Sequence, residues 1–170
     1  IDLMKVVMRD YKLSSYKLDN VAEHFLTGKI LEIADNVIDV TNIKDLHVGN
    51  FIKIKVNGEL FNGGHKFKII NIDNNKVELN EKVEIGDYKS LLWCLAKDDV
   101  SPNDIFRLQK GTSADRKIIA EYCIQDCALL NKLISRLCVV TNNIAMSNVC
   151  SVPLSYIFFC YFLFFFFSSR

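Results

Sequence analysis

The centre of the sequence contains the stretch Phe51-Ile52-Lys53-Ile54-Lys55-Val56-Asn57-Gly58, which predicts a β-strand ending in a tight hairpin turn. Its apolar residues alternate imperfectly with lysines, and Asn-Gly strongly favours a two-residue turn. The runs Lys66–Ile70 and Lys76–Leu79 flank a second turn signal, Asp73-Asn74-Asn75. Residues 29–97 are therefore expected to form a β-meander or small barrel of about five strands.

Helical periodicity flanks this β zone on both sides. Before it, apolar residues at the spacing of a helix face predict two helices separated by Ser14-Ser15, with Gly28 as the stop of the second. After it, Ser101-Pro102 predicts one helix start, and Thr112 or Ser113 predicts the next. The residues expected on the helix faces are Leu3, Val6, Val7, Asp10, Tyr11, Leu18, Val21, Ala22, Phe25 and Leu26, then Ile118, Ile119, Tyr122, Cys123, Asp126, Leu129, Leu130, Leu133, Ile134 and Leu137.

The charge balance and the cysteines limit the class of protein. The 170 residues carry 21 basic and 20 acidic side chains, which excludes a polybasic nucleic-acid tail and an acidic disordered segment. None of the six cysteines forms a Cys-x-x-Cys pair, so neither a zinc site nor a redox motif is supported. We expect reduced, core-packed thiols in an intracellular protein that is not secreted.

The last part of the sequence has an unusual composition. No charged residue occurs from Leu137 to Ser169, and seven of the twelve phenylalanines lie between Phe158 and Phe167. The apolar run Tyr156–Phe167 has twelve residues, whereas a membrane-spanning helix needs about 20. A buried segment or a non-native tail is therefore favoured over a membrane anchor.

Tyr122 and Asp126 are the candidate catalytic pair. At positions i and i+4 they lie one turn apart on one helix face, with side-chain roots about 6 Å apart, beside the apolar stripe. A carboxylate there is costly unless it is paired, hydrogen-bonded or bound to a metal. On spacing alone, a half-exposed Asp126 that pairs on the helix flank is the favoured interpretation, because Tyr-x-x-x-Asp is a common pattern.

Three separated blocks resemble family B DNA polymerases of the viral and delta-like type, in the order in which that family has them. Ser15-Tyr16-Lys17-Leu18-Asp19-Asn20-Val21-Ala22 and Tyr122-Cys123-Ile124-Gln125-Asp126 are similar to segments of its exonuclease domain. Val152-Pro153-Leu154-Ser155-Tyr156 resembles the passage into its polymerase lobe. The resemblance covers about residues 1–26 and 98–159, and the β zone resembles an insertion in polymerases of large DNA viruses.

This resemblance implies a 3′→5′ proofreading exonuclease fused to a DNA polymerase, in which two divalent ions, Mg²⁺ or Mn²⁺, support phosphodiester hydrolysis. Asp126 would be a metal ligand, and Tyr122 would orient the attacking water or the scissile phosphate. The implied partners are the single-stranded 3′ end of DNA, deoxynucleotides at the polymerase lobe and a processivity factor, with no membrane. The expected location is the nucleus or the cytoplasm of a virus-infected host cell.

The same resemblance implies a fragment that is inactive in isolation. The family's first two exonuclease motifs would precede Ile1, its polymerase aspartates would follow Phe159, and one aspartate cannot hold two ions. The expected fold is α+β: the helical part of a ribonuclease H-like exonuclease domain with a small β-meander or barrel insertion. The expected division is 1–28 as exonuclease helices, 29–97 as the β-rich insertion, 98–140 as exonuclease helices with the third motif, 141–159 as the junction to the polymerase lobe and 160–170 as an aberrant Phe-rich tail.

Other interpretations remain open. A non-catalytic β-barrel that binds a protein or a nucleic acid is the alternative function, and a tail-anchored membrane protein is a less favoured one. The net charge of zero over residues 29–97 argues against strong DNA affinity of that zone. The histidines show no metal-ligand spacing. Four basic residues at a helix junction are candidate DNA-backbone contacts, although a solvated helix start explains them equally well: Arg107, Lys110, Arg116 and Lys117.

Overall fold

The computed structural model describes residues 2–98 and 100–159, in which a β-barrel lies between two groups of helices. The helices are α1 (Leu3–Asp10), α2 (Leu18–Phe25), α3 (Pro102–Gln109), α4 (Ser113–Arg136), α5 (Val139–Cys150) and α6 (Leu154–Phe159). The strands are β1 (Thr27–Ala34), β2 (Val37–Val40), β3 (Phe51–Val56), β4 (Glu59–Leu60), β5 (Phe67–Asp73), β6 (Lys76–Leu79) and β7 (Leu91–Ala96), with a 3₁₀ turn at Phe61–Gly64. The α+β class is confirmed, and the ribonuclease H-like assignment stays a prediction.

The seven strands of the described chain form one antiparallel sheet that closes on itself. β3 pairs with β7 from Phe51 to Val56 and with β5 through Phe51 and Ile52, which completes the ring β3-β5-β6-β2-β1-β7. β1 and β5 carry bulges at Leu31 and Ile70, close to where each strand passes from one neighbour to another. Bulges bend strands, as closure of a small barrel requires. The expectation of about five strands is therefore too low.

Both predicted hairpin turns are confirmed, and both use left-handed backbone. Asn57 and Gly58 join β3 to β4 with φ of 53° and 93°, the two positive values that a type I′ turn requires. Asn74, between β5 and β6, has φ of 52°. Asparagine tolerates this region better than most side chains do, so the local sequence fixes the register of these strands.

Gly28 lies inside β1, so its expected role as a helix stop is wrong. α2 ends at Phe25, and the N–H of Leu26 donates to the carbonyl of Ala22. Gly28 pairs with Trp93 across β1 and β7, and a Cβ at position 28 would stand 2.6 Å from the Trp93 ring. Glycine is needed here because the indole of Trp93, which is 2% exposed, occupies that space.

One hydrophobic core fills the barrel and continues beneath the helices. The predicted faces of α1 and α2 are buried at Leu3, Val7, Val21 and Ala22, as their periodicity indicates. The fully buried barrel residues are mostly aliphatic and alternate along their strands, as inward-facing positions do: Ile38, Val40, Ile52, Ile54, Ile69, Val77 and Leu79.

α4 begins at a predicted cap but is less buried than its pattern indicates. Thr112 and Asp115 form a reciprocal capping box at its start. Along the predicted apolar face only Leu129 and Leu133 are buried, whereas Ile118 is 47% exposed. The core therefore reaches only the second half of α4, and the expected burial of the first half is wrong for the described chain.

The expectation of core-packed cysteines holds for only one of the described thiols. Cys94 is buried in β7, where burial raises the pKa of its thiol to about 11. The other four, on α4, on α5 and between these two helices, are exposed: Cys123, Cys127, Cys138 and Cys150. No disulfide joins these five cysteines.

An ion-pair cluster fixes α2 to the barrel. Lys53 of β3, whose side chain is 9% exposed, places its Nζ 2.9 Å from Asp19 Oδ2 and 3.2 Å from Glu23 Oε2. Lys55 Nζ lies 3.0 Å from the other oxygen of Glu23. Burial opposes charge on Lys53 and Asp19, but the hydrogen bonds and the opposite charges around each group together outweigh it. The pKa of Asp19 therefore lies below, and that of Lys53 above, its ordinary value.

The first and last long strands of the barrel lie side by side. β1 pairs with β7 at Thr27 and Cys94, and the N–H of Leu95 donates to the carbonyl of Leu26 at 2.9 Å. The chain thus leaves the helical part and returns to it at one place. This arrangement brings the end of β7 back beside α2 and, through the next residue, beside α4.

The apolar C-terminal run is only partly within the described residues. α6 contains its first four residues, from Tyr156 to Phe159, and Ile157 among them is buried. No helix in residues 2–98 and 100–159 is long and apolar enough to cross a membrane. The Phe-rich tail predicted for residues 160–170 lies outside the described residues.

Candidate functional site

Tyr122 and Asp126 lie one turn apart on α4 and meet a third side chain, that of Lys97. Lys97 directly follows β7, and its Nζ lies 2.7 Å from Asp126 Oδ2. The same ammonium lies 4.9 Å from the centroid of the Tyr122 ring, within cation–π range. The side chains of Lys97 and Asp126 are 28% and 26% exposed, so the pair lies at the surface but is partly shielded.

The backbone of Lys97 is held from two sides. Its N–H donates to Asp19 Oδ1 of α2 at 3.1 Å, and its carbonyl accepts from Lys66 Nζ at 2.7 Å. Asp19 is also the carboxylate that binds Lys53 in the ion-pair cluster. The position of Lys97 therefore depends on both α2 and the barrel, and these contacts hold its side chain beside α4.

The electrostatics of the site follow from this geometry. Burial alone would lower the pKa of Lys97, but hydrogen bonds to Asp126 and Tyr122 outweigh it and raise that pKa above its ordinary value. Lys97 is thus a permanent cation near neutral pH. Asp126 is thus partly exposed and paired, as its spacing alone favours. Its partner, Lys97, comes from the end of a strand and not from the helix.

The described residues do not by themselves fit a two-ion centre. No group of three or more histidine, cysteine, aspartate or glutamate side chains in residues 2–98 and 100–159 is arranged to hold a metal ion. Asp126 supplies one carboxylate, and that carboxylate already binds the ammonium of Lys97. Hard divalent ions need several oxygen ligands, so Mg²⁺ or Mn²⁺ would require carboxylates from elsewhere.

A groove beside Asp126 separates α4 from one end of the barrel. Asn50 and Phe51 form its barrel wall, and Gln125, Asp126 and Lys132 lie on its α4 wall. The groove also contains Lys97, which the sequence analysis did not single out. Lys132 was missed as well, because nothing in the spacing of a lysine six residues after Asp126 indicates what it faces.

Lys132 fixes α4 to the loop that precedes β3. Its Nζ donates to the Asp45 carbonyl at 2.6 Å and to Asn50 Oδ1 at 3.0 Å, and it lies 3.2 Å from His47 Nδ1. Burial lowers the pKa of Lys132, and the charge of Asp45 opposes that shift only in part. The barrel is therefore attached to α4 as well as to α2.

The four predicted DNA-contact residues lie at the α3–α4 junction, away from this groove. All are exposed, and Arg107 pairs with Asp104 while Lys117 pairs with Glu121 on its own helix. Arg116 donates to the carbonyl of Gly111. These contacts suit a solvated helix start, and contact of Arg107, Lys110, Arg116 and Lys117 with DNA stays a prediction.

The chain is similar over most of its length to segments of DNA polymerases. It is 49% identical over 158 residues to a DNA polymerase of Pyramimonas orientalis virus, and this alignment covers 93% of this chain and 12% of that protein. It is 33% identical over 170 residues to a DNA polymerase of Phaeocystis pouchetii virus, covering 92% of this chain and 16% of the relative.

A cellular relative extends this similarity. The chain is 26% identical over 156 residues to a DNA polymerase delta catalytic subunit of Dictyostelium discoideum, covering 92% of this chain and 8% of that subunit. No family model matches the chain. The matched segments cover less than a fifth of the length of each of these curated relatives. The resemblance to viral and delta-type DNA polymerases is confirmed.

Proposed function

This chain is related along most of its length to a segment of viral and delta-type DNA polymerases, and on that premise we propose that it is part of a 3′→5′ proofreading exonuclease. The proposed partner is the single-stranded 3′ end of DNA. The proposed reaction is hydrolysis of the terminal phosphodiester, in an enzyme that also adds nucleotides.

The arrangement of Tyr122, Asp126 and Lys97 is the observation that supports this proposal. A phenol, a carboxylate and an ammonium converge at the rim of one groove, within 5 Å of the ammonium nitrogen. A nuclease needs groups that bind a phosphate and orient a water molecule, and these three groups can do both. Their convergence depends on α2, β7 and α4 together, which is typical of a functional site.

The proposed roles follow the chemistry of each group. Asp126 contributes one carboxylate to a divalent-ion centre whose other ligands lie outside this chain, and the ion would supply an activated water. Tyr122 orients that water or the scissile phosphate through its hydroxyl. Lys97 compensates the charge of Asp126 and is close enough to bind a phosphate oxygen when the strand is present.

A chimeric polymerase tests the proposal directly. Residues 1–159 would replace the matching segment of the Pyramimonas orientalis virus enzyme, and Asp126→Ala would be compared with Asp104→Ala. Asp104 is a half-exposed acid in the first turn of α3 and serves as the matched control. Asp126→Ala should abolish excision of a mismatched 3′ nucleotide and spare nucleotide addition. Equal loss of both activities would remove Asp126 from the proposed role.

The isolated chain provides a second test. We expect it to have no exonuclease activity on single-stranded DNA with Mg²⁺, because one carboxylate cannot hold the ions that the reaction needs. Robust digestion that disappears in Asp126→Ala would show that the chain carries a complete centre, and the proposed division of ligands would then be wrong.

A non-catalytic binding module is the second candidate, because the strands close into a barrel whose interior is filled with apolar side chains. The ion-pair cluster at Lys53 and the contacts of Lys132 argue for a barrel that acts together with the helices. This candidate would be favoured if residues 29–97 folded alone and bound a partner as tightly as the whole chain does.

A further inference from the structure

Lys97 lies one residue beyond the last strand pair at this end of the barrel. That pair joins Phe51 of β3 to Ala96 of β7, and Lys97 follows outside it. A lysine side chain is long and flexible, so it holds a fixed position only when other groups restrain it. The contact of the Lys97 ammonium with Asp126 therefore depends on how the main chain of Lys97 is held.

A carboxylate and an ammonium bind the main chain of Lys97. Asp19 Oδ1 of α2 accepts its N–H at 3.1 Å, and Nζ of Lys66, which directly precedes β5, donates to its carbonyl at 2.7 Å. Hydrogen bonds to charged groups are stronger than those between neutral groups. Both polar groups of this main chain are thus bound, one by a helix and one by the barrel.

Asp19 is suited to this role because the barrel fixes it in turn. Its other oxygen, Oδ2, lies 2.9 Å from Nζ of Lys53, a largely buried lysine of β3. The two carboxylate oxygens therefore bind different partners, the Lys97 N–H and the Lys53 ammonium. A side chain that is itself held by a hydrogen bond positions its neighbour more precisely than one that rotates freely.

Attachment of α2 to the barrel does not rest on Asp19 alone. Glu23 of the same helix contacts Lys53 at 3.2 Å and Lys55 at 3.0 Å. In the part of the chain that the structure describes, Asp19 accepts a hydrogen bond from Lys97 and Glu23 does not. Glu23 is therefore a matched comparison, because it shares the attachment of α2 and lacks the contact with Lys97.

We propose that Asp19 and Lys66 are positioning residues for excision, which hold the main chain of Lys97 in place. The Lys97 ammonium would then stay beside Asp126 during the reaction. The inference rests on the proposed exonuclease function and adds a role for the barrel, which supplies Lys66 and fixes Asp19 through Lys53. Asp19 and Lys66 would act through Lys97 without touching the DNA.

A kinetic double-mutant cycle in the chimeric polymerase tests whether Asp19 acts through Lys97. Excision of a mismatched 3′ nucleotide would be followed in single turnovers for the wild type, Asp19→Ala, Lys97→Met and the double variant. Asp19→Ala should slow excision about ten- to a hundredfold, because a small displacement of a reacting group costs that much. In the Lys97→Met background it should slow excision less than about twofold, since the group that Asp19 positions is gone.

Two further variants complete the design. Lys66→Met should slow excision when Lys97 is present and have little effect in the Lys97→Met background. Glu23→Ala also weakens the attachment of α2, but excision should stay within about twofold of the wild-type rate because Lys97 keeps both main-chain contacts. Nucleotide addition by the same molecules should be unchanged, which shows that each variant is folded.

Two results would overturn the inference. If Asp19→Ala slows excision by the same factor in both backgrounds, Asp19 does not act through Lys97. If Glu23→Ala slows excision as much as Asp19→Ala does, loosening of α2 explains the loss. Should Asp19→Ala fail to fold, Lys66→Met decides the question, because Lys66 lies outside α2 and has its own contact with Lys97.

Hydrogen exchange in the isolated chain separates this inference from the exonuclease proposal. The Lys97 amide, followed by NMR, should exchange at least about tenfold faster in Asp19→Ala and at the wild-type rate in Glu23→Ala. Loss of excision in Asp126→Ala together with an additive Asp19 cycle overturns the positioning role and leaves the exonuclease proposal intact. Excision that does not depend on Asp126 overturns the exonuclease proposal, whereas faster exchange in Asp19→Ala would still support the fixing of Lys97 by Asp19.

Discussion

The ammonium of Lys97 lies 2.7 Å from a carboxylate oxygen of Asp126 and joins the end of β7 to the middle of α4. Because Lys97 is also held through its backbone by Asp19 and Lys66, the position of Asp126 is linked to two distant elements through one side chain. The candidate site is thus part of the packing between the barrel and the helices.

The Lys97–Asp126 pair should show measurable coupling. In a double-mutant cycle with Lys97→Met and Asp126→Asn, we expect a coupling free energy of about 0.5–1 kcal/mol, because the pair is partly shielded from water. Urea denaturation of the four chains measures it. The exposed pair Lys117–Glu121 is the control and should couple by less than about 0.5 kcal/mol. A coupling free energy no larger than that of the control pair would show that the Lys97–Asp126 contact does not stabilise the packing of β7 against α4.

Acid should loosen α2 from the barrel through Asp19. The folded-state pKa of Asp19 is depressed, so its contribution to stability is complete above its ordinary pKa of 3.8 and is lost as pH falls through the lower folded value. Asp19→Asn should cost about 1–2 kcal/mol at neutral pH and flatten the stability decrease below about pH 4. Denaturation at several pH values measures both effects, with the exposed Asp35→Asn as control. If the stability of Asp19→Asn fell with pH as that of the wild-type chain does, the proposed contribution of Asp19 to stability would be wrong.

Gly28 should tolerate no larger side chain. Gly28→Ala places a methyl group against the Trp93 ring and should cost about 1–3 kcal/mol, because the buried indole cannot move aside. Gly86→Ala is the matched control, since a Cβ at position 86 meets no atom within 4 Å. Thermal denaturation and Trp93 fluorescence measure the difference. Equal stability of the two variants would show that β1 and β7 can separate at this point.

The described thiols should differ sharply in reactivity. Iodoacetamide at pH 8 should label Cys123, Cys127, Cys138 and Cys150 in the native chain, because they are exposed. Cys94 should stay unlabelled until the chain unfolds, since its pKa of about 11 and its burial both suppress the thiolate. Peptide mass spectrometry measures each position. Early labelling of Cys94 would indicate that the barrel opens between β3 and β7.

Local signals in the sequence predicted much of the barrel but not its closure. The turn at Asn57-Gly58 and the alternation in β3 depend on neighbouring residues, so they are readable from the sequence. The pairing of β3 with β7 joins residues about forty positions apart and depends on which strand edges remain free. β1 was missed for a related reason, because its start follows α2 without a break and Gly28 resembles a helix stop.

The site shows the same limit. Tyr122 and Asp126 share one helix face, so their proximity follows from helical geometry alone. The partner of Asp126 comes from the end of a strand, and no periodicity relates Lys97 to α4. The contact of Lys132 with a loop of the barrel is likewise related to no periodicity of the sequence. Only the folded chain shows that Lys97 and Lys132 line the same groove as Asp126.

The adjacency of Leu26 and Leu95 has a consequence for how such a chain can change in evolution. Because the N–H of Leu95 reaches the carbonyl of Leu26, the whole barrel begins and ends at one hydrogen-bonded seam. A lineage could acquire, replace or discard the intervening residues without displacing the neighbouring helices, since a short linker would bridge the remaining gap. The contacts of Lys53 with α2 and of Lys132 with the loop before β3 would then show how far the helices have adapted to the presence of the barrel.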